Sequence, residues 1–391
     1  VLEPATLIQK PETILGTTVL AHIVNDGLDM GLPLIMPLLV TKYALSLFEA
    51  GAILTCYAAT TVIFQPLLGY ISDITGYKKI YLASGLFTIG AGLFLVQFAP
   101  SLPWLLLCSF LAGLGFSTYH PAAMSFINAA YTARRGFGLG FHGVGGSLGR
   151  GVYPAALGAL LAAYGLGSAL FLSVAIAFTA GIMVLRLPPS MGSRKARRFS
   201  LTSTYIILVT CVAFLLRTIA YAGTVNFIPT YLVRELHLDI AAAGLATSIM
   251  LILGIVSQPL GGYLSDKLGR RAVLGMSCFL MGVFFTLFLW IPHPASLIPL
   301  SLFGFCIFLG FPLPYAIVGD HVPKEVISTS LGIVSGVGGA GGIIAPLLVG
   351  RLGDQMGLGN AMLLVAFFAF AAAASCILLP KRTHPITDSG N

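Results

Sequence analysis

The chain has 391 residues, of which 57% are hydrophobic and only 9% charged, with a formal net charge of +8 and a mean hydropathy of +0.95. A soluble domain carries about 25% charged residues, so too few are present to cover a water-facing surface. That excludes a soluble enzyme, a disordered chain and a secreted disulfide scaffold. It also speaks against an outer-membrane barrel, whose strands alternate over about 10 residues instead of running apolar for about 20.

Apolar runs long enough to span a bilayer fall near residues 14–40, 47–74, 79–99, 103–131, 136–164 and 168–187, then 203–233, 240–266, 272–291, 296–320, 327–353 and 358–379. The stretch from Pro188 to Phe199, with two prolines, Gly192 and four basic residues, is the obvious linker. The expected fold class is an all-α membrane protein of twelve transmembrane helices. Residues 1–187 form a first six-helix bundle, 188–201 a cytoplasmic linker, and 202–391 a second six-helix bundle with a short cytoplasmic tail. The first run is full length and lacks a short charged–apolar–small pattern, so no cleavable signal is expected.

Basic residues gather on every second connection: Lys78-Lys79, Arg134-Arg135, Arg194 to Arg198, Lys267-Arg270-Arg271, Lys324 and Lys381-Arg382. Lys42, Arg234 and Arg351 are the exceptions on the intervening connections. The positive-inside rule then places both termini in the cytoplasm and the chain in the cytoplasmic (inner) membrane. The positive balance reads as topology, so the expected partners are a small-molecule substrate, protons and the lipid bilayer, with no nucleic acid and a monomeric chain. Cys56, Cys108, Cys211, Cys278, Cys306 and Cys376 lie singly in apolar runs, as small core residues and not as a disulfide or metal framework.

An ionisable side chain within a span costs about 2.5 kcal/mol or more, so the few present are the sharpest functional clues. Run one holds His22, Asn25, Asp26 and Asp29. Relative to His22, Asp26 lies about 40° round a helix, Asp29 about 20° the other way and Asn25 about 60° away, so all four share a face. Asp26, Asp29 and His22 are candidates for proton coupling; the structural alternative is a hydrogen-bonded knot that braces the helix. Run four holds Tyr119-His120-Pro121, where proline frees carbonyls to line a cavity and histidine changes charge near neutral pH. Run five holds His142 and Arg150, and run seven holds Arg217, Tyr221 and Asn226. A buried Arg must pair, either with a run-one carboxylate or with an anionic substrate. Asn25, Tyr119, His120, His142, Arg150, Arg217, Tyr221 and Asn226 are therefore candidate substrate-cavity residues. The histidines of runs one, four and five could converge on a metal, but carboxylates at ligand spacing are missing outside run one, so no metal site is expected, and nothing calls for a cofactor.

The two halves are copies. Gln65-Pro-Leu-Leu-Gly-Tyr-Ile-Ser-Asp73 returns as Gln258-Pro-Leu-Gly-Gly-Tyr-Leu-Ser-Asp266, with seven of nine positions identical, and Gly143-Val-Gly-Gly146 returns at the same offset as Gly336-Val-Gly-Gly339. Internal repeats of this kind mark secondary transporters, whose sites lie between the repeats. The stretches Gly69-Tyr-Ile-Ser-Asp73-Ile-Thr-Gly76-Tyr-Lys78-Lys79 and Gly262-Tyr-Leu-Ser-Asp266-Lys-Leu-Gly269-Arg270-Arg271 both resemble the loop 2–3 signature of the major facilitator superfamily. The resemblance covers essentially the whole chain and implies the major facilitator fold. It also implies conformational gating for Gly69, Asp73, Gly76, Lys78, Lys79, Gly262, Asp266, Gly269, Arg270 and Arg271. The first copy departs at Ile74 and Tyr77, where basic residues are common, which weakens the expected lock in that half.

Ala21-His22-Ile-Val-Asn25-Asp26, with Pro33 and Pro37 behind it, and Tyr119-His120-Pro121 are similar to the fosmidomycin-resistance branch of that superfamily. The similarity implies proton-coupled drug efflux and carries over to His22, Asn25, Asp26, His120 and Pro121. The run Gly140-x8-Gly149-x3-Tyr153-Pro154-x3-Gly158 partly matches a helix 5 motif of superfamily antiporters. Gly332-x8-Gly341-x3-Ala345-Pro346-x3-Gly350 repeats the pattern in the second half, so packing and bending explain it better than exchange chemistry.

The leading expectation is a proton-coupled secondary active transporter that exports a small organic molecule by alternating access, and not an enzyme. The alternative is a proton-coupled uptake symporter for an anionic metabolite, a carboxylate or phosphonate, clamped by Arg150 and Arg217. A membrane-embedded enzyme or sensor is the remote third, lacking a nucleophile–base pair or an appended soluble domain.

Overall fold

The computed structural model describes residues 10–131, 134–188, 204–322 and 327–380, and is helical almost throughout. Helices α1 (Pro11–Asp29) and α2 (Gly31–Tyr43) form a single apolar segment that bends at Met30, just before Pro33 and Pro37. Then follow α3 (Leu47–Thr75), α4 (Lys78–Leu95), α5 (Leu102–Ala130) and α6 (Arg135–Val184). The second half begins with α7 (Thr204–Arg234) and a segment broken at Leu253 into α8 (Ile240–Ile252) and α9 (Gly254–Leu268). After α10 (Arg270–Trp290), α11 (Leu297–Leu309) and α12 (Leu313–His321) are parts of another broken segment, interrupted beside Pro312. The last helices are α13 (Ile327–Met356) and α14 (Leu358–Ser375).

Eleven segments among the described residues are long and apolar enough to cross a membrane. The break expected between runs five and six falls at a single non-helical residue inside α6, Gly165 (φ 76°, ψ 176°). This positive φ is open to glycine and strained for other residues. The chain doubles back there, because the Tyr153 hydroxyl donates to the Ser173 hydroxyl at 2.8 Å, whereas twenty residues of straight helix would separate them by about 30 Å. The linker expected at 188–201 lies outside the described residues except for Pro188, as do Arg194 to Arg198, Lys324 and Lys381-Arg382.

In the first half α6 packs on α1 and α4, and α5 on α3 and α4; in the second α7 packs on α13 and α14, and α10 on α11 and α14. The halves meet mainly through the crossings of α3 on α13 and α6 on α8, and also through α2 on α7. The two main crossings are built from glycine against a backbone carbonyl. A methyl at Gly51 would collide with the Pro346 carbonyl oxygen, and one at Gly244 with that of Pro154; Gly350 and Gly158 press in the same way on the carbonyls of Leu47 and Ile240. Lipid offers no hydrophobic drive for helix association, so small residues that admit close backbone approach are what hold such crossings. The twice-repeated Gly–Pro–Gly pattern of α6 and α13 is thus a pair of matched packing surfaces.

One further contact ties this end together. The Asp354 carboxylate, at the end of α13, accepts the backbone N–H groups of Leu47 (2.8 Å) and Phe48 (2.9 Å) at the start of α3. Toward the opposite end, Gly140 and Gly143 of α6 and Gly332 and Gly336 of α13 face open space. The halves are closed where α3 begins and apart where α6 and α13 begin.

Candidate functional site

The run-one face expected from helical spacing forms the centre of a buried cluster. His22, Asn25 and Asp26 are 6%, 0% and 5% exposed. The Asn25 side-chain amide donates to Asp26 Oδ1 at 3.0 Å. His22 Nε2 lies 3.3 Å and His120 Nε2 3.5 Å from the same oxygen. Pro121, inside α5, sits beside Gly69 of α3, whose missing side chain lets the two helices touch.

Arg150 reaches this cluster from α6. Its Nε lies 3.2 Å from Asp26 Oδ2, an NH2 group lies 3.1 Å from Asp29 Oδ2, and the remaining NH1 donates to the Tyr221 hydroxyl at 3.1 Å. Tyr221 belongs to α7, so the guanidinium spans both halves. The expectation that a buried Arg pairs with a run-one carboxylate holds for Arg150. With the histidines neutral, two carboxylates face one guanidinium and the cluster carries a formal charge of −1.

Other expected cavity residues occupy different places. Tyr119 is fully buried; its hydroxyl donates to the Thr18 carbonyl at 2.5 Å and its ring stacks on His22. His142 stacks on His22 with ring centroids 4.1 Å apart, and its carbonyl oxygen, not its ring, meets His22 Nδ1 at 2.8 Å. Asn226 donates to the Ala222 carbonyl one turn back along α7.

Arg217 stands apart from the cluster. It is 1% exposed, bonds the Ile307 carbonyl through one NH2, and lies 5.8 Å from the Phe311 ring centre. Among the described residues it has no carboxylate partner, and its Nε is unpartnered. A buried guanidinium without an anion is the reverse of the Arg150 arrangement.

The gating candidates sit at the open end. Lys78 pairs with Asp73 at 2.9 Å and also meets the Ser125 hydroxyl, tying α3, α4 and α5 together. Arg270 pairs with Asp266 at 2.5 Å and with Asp320 of α12 at 3.1 Å, while Arg271 donates to the Leu379 carbonyl at 3.0 Å. Gly76 (φ 74°) and Gly269 (φ 96°) end α3 and α9. Gly262 faces open space, and Lys79 is half-exposed. Each ion pair lies within its own half. The first copy keeps one through Lys78, with Ile74 and Tyr77 exposed beside it.

Three residues that matter here escaped sequence reasoning. Gly146 lies against the cluster: a methyl there would be 2.7 Å from His22 Nε2 and 2.8 Å from Asp26 Oδ2. Phe116 sets its ring edge against His120 with centroids 5.1 Å apart. Asp354, at the end of α13, caps α3 across the interface. The first was legible only as part of the repeated Gly-Val-Gly-Gly, the others not at all.

Comparison with known proteins bears on the family and the fold. The Major Facilitator Superfamily matches residues 18–208 and again 206–390. The chain is 27% identical over 390 residues to the fosmidomycin resistance protein of Escherichia coli, covering 95% of this chain and 93% of that one. It is 26% identical over 385 residues to the MFS-type transporter YfnC of Bacillus subtilis, covering 92% of each. Among solved structures, a bacterial homologue of the human lysosomal transporter Spinster, in an inward-facing and occupied conformation, aligns with a TM-score of 0.81 at 16% identity, over 94% of this chain and 96% of that one. The nucleoside transporter NupG aligns at 0.76 with 17% identity, over 94% of this chain and all of its own. With two matched helical halves and both halves matching the family, the chain belongs to the Major Facilitator Superfamily, and the relatives it resembles are transporters.

Proposed function

We propose that this protein is a proton-coupled transporter that exports a small organic molecule by alternating access. The observation that carries this reading is the arrangement of two carboxylates, Asp26 and Asp29, about the one guanidinium of Arg150, a formal charge of −1 with both carboxylates ionised and the histidines neutral. A proton on either carboxylate neutralises the cluster and weakens its hold on Arg150. The guanidinium is then freer to follow Tyr221 of the other half, which links protonation to the relative position of the halves. The closed and open ends support a chain seen in one extreme of the rocking motion by which such repeats expose a central site to alternate sides.

In this reading the fold of α6 at Gly165 counts as two crossings, giving twelve, with residues 1–187 and 202–391 as bundles joined by 188–201. Both termini and the open end face the cytoplasm, in the inner membrane, and the monomer works with lipid, protons and a small-molecule substrate. The paired residues from Asp73 to Lys78 and from Asp266 to Arg271 steady the open end while the halves move.

A second reading is favoured by Arg217, the buried guanidinium without a carboxylate: uptake of an anionic metabolite together with protons. A relative that is 25% identical over 324 residues is a probable nitrate transporter of Staphylococcus haemolyticus. Flux into vesicles distinguishes the readings. With fosmidomycin as the first probe, named by the relative from Escherichia coli, export requires protons and solute to move in opposite directions, and uptake symport requires the same direction. Flux indifferent to an imposed pH gradient overturns proton coupling in both.

A further inference from the structure

We propose that His22, Asp26 and His120 form a binding site for a divalent transition-metal ion of the Zn2+ class. One ligand atom from each residue lies within 4.8 Å of the other two. The sequence alone pointed away from this, because it left carboxylates on one helix only; the fold brings that helix's own Asp26 to the histidines of α1 and α5.

The argument rests on where the imidazole hydrogens go. A carbonyl oxygen only accepts, so the contact of 2.8 Å between His22 Nδ1 and the His142 carbonyl places the ring hydrogen on Nδ1. In the neutral ring Nε2 is then a bare lone pair, and it is buried without a hydrogen-bond partner. It faces Asp26 Oδ1, itself an acceptor, at 3.3 Å. Two lone pairs at that distance call for a positive centre between them. His120 Nε2 approaches the same oxygen at 3.5 Å. A proton on each Nε2 would serve the two N···O pairs separately, whereas one metal ion bridges all three atoms.

The distances fit. With metal–nitrogen and metal–oxygen bonds of about 2.1 Å, the N···O separations of 3.3 and 3.5 Å correspond to nitrogen–metal–oxygen angles of about 104–113°, close to tetrahedral, and the two histidine nitrogens lie within 4.8 Å of each other. Two imidazoles and one carboxylate suit Zn2+ and its neighbours and leave a fourth position for water or a solute oxygen. The surrounding shell is also in place. The His142 carbonyl orients His22, as the outer partner of a metal-bound histidine does. Asn25 donates to Oδ1, and Arg150 occupies the other oxygen, Oδ2, leaving Oδ1 toward the histidines. Gly146 keeps the space beside His22 Nε2 clear. The cluster charge of −1 favours a cation over a neutral ligand.

The test is titration of Zn2+ into the purified full chain by calorimetry, with Co2+ as a spectroscopic probe. One Zn2+ per chain is expected, and strong visible bands of four-coordinate Co2+ without a sulfur-to-cobalt charge-transfer band. His120→Ala and His22→Ala should each weaken binding at least tenfold, and His293→Ala should leave it unchanged. Gly146→Ala keeps every ligand but fills the space, and should weaken binding too, which covers the case in which a histidine variant fails to fold. No saturable binding, binding indifferent to these changes, or a charge-transfer band from the cysteines would overturn the site. Binding is read without flux, so its failure leaves proton coupling standing, and failure of proton coupling leaves the metal site standing.

Discussion

The Tyr221 hydroxyl accepts a hydrogen bond from Arg150 at 3.1 Å, and this bond joins the two halves of the protein. On its other side Arg150 is held by Asp26 and Asp29, both of the first half. A single guanidinium is thus shared between two carboxylates of one bundle and a hydroxyl of the other.

Removing that hydroxyl should shift the balance between conformations. A hydrogen bond to a charged group contributes about 1.5–3 kcal/mol, and about 1.4 kcal/mol is a tenfold change in a population. Tyr221→Phe should therefore lower the population of this conformation by about tenfold or more, while Arg150 keeps its carboxylates. Spin-label distances across the open end measure this; an unchanged distribution would show that the bond plays no part in holding the halves.

The closed end depends on Asp354, which caps α3 across the interface. Loss of a cap costs about 0.5–2 kcal/mol. The first turn of α3 survives without it, because Ser46 and Glu49 form their own capping box. In Asp354→Ala the amides of Leu47 and Phe48 should exchange hydrogen several-fold faster, with transport altered, while the amide of Ala242, capped by Asp239 within its own half, is unaffected. Equal protection in both proteins would contradict the latch.

Gly244 offers a test whose sign is diagnostic. An alanine in place of glycine within a helix ordinarily stabilises it by about 1 kcal/mol. At Gly244 the added methyl meets the Pro154 carbonyl of the other half, so Gly244→Ala should separate α6 from α8 and lower the thermal midpoint. Gly140→Ala, with open space around it, should raise the midpoint or leave it alone. Similar effects at both positions would mean that the glycine crossing is not what closes this end.

Arg217 separates the two transport readings. Arg217→Met replaces a buried charge lacking a carboxylate by an apolar chain of similar length, and such replacements are commonly neutral or stabilising. Retained stability with loss of anion transport would favour the symport reading. Retained stability with unchanged flux would assign Arg217 to packing against Ile307 and Phe311.

Much of this architecture is legible in the chain. Apolar runs and the repeat of residues 65–73 at 258–266 mark the spans and the two halves, because both are local properties. The site was half legible. Helical spacing places His22, Asn25, Asp26 and Asp29 on one face, and the cost of a buried charge singles out Arg150. Which carboxylates Arg150 would choose, and that Arg217 would have none, depends on how helices far apart in sequence cross. The crossings depend in turn on glycines whose partners are carbonyls of another helix, a relationship no spacing rule contains. The break between runs five and six was legible at 165–167; that one glycine of positive φ makes it was not, because a chain reversal needs only one such residue and no polar loop.

The most direct test of proton coupling is the proton movement that accompanies transport in lightly buffered vesicles containing a pH-sensitive dye. With fosmidomycin as substrate, the unaltered protein should move protons against the direction of solute, and Asp26→Asn should abolish that movement while still binding substrate. Solute flux without proton movement, or proton movement undiminished in Asp26→Asn, would contradict the role assigned to the buried cluster.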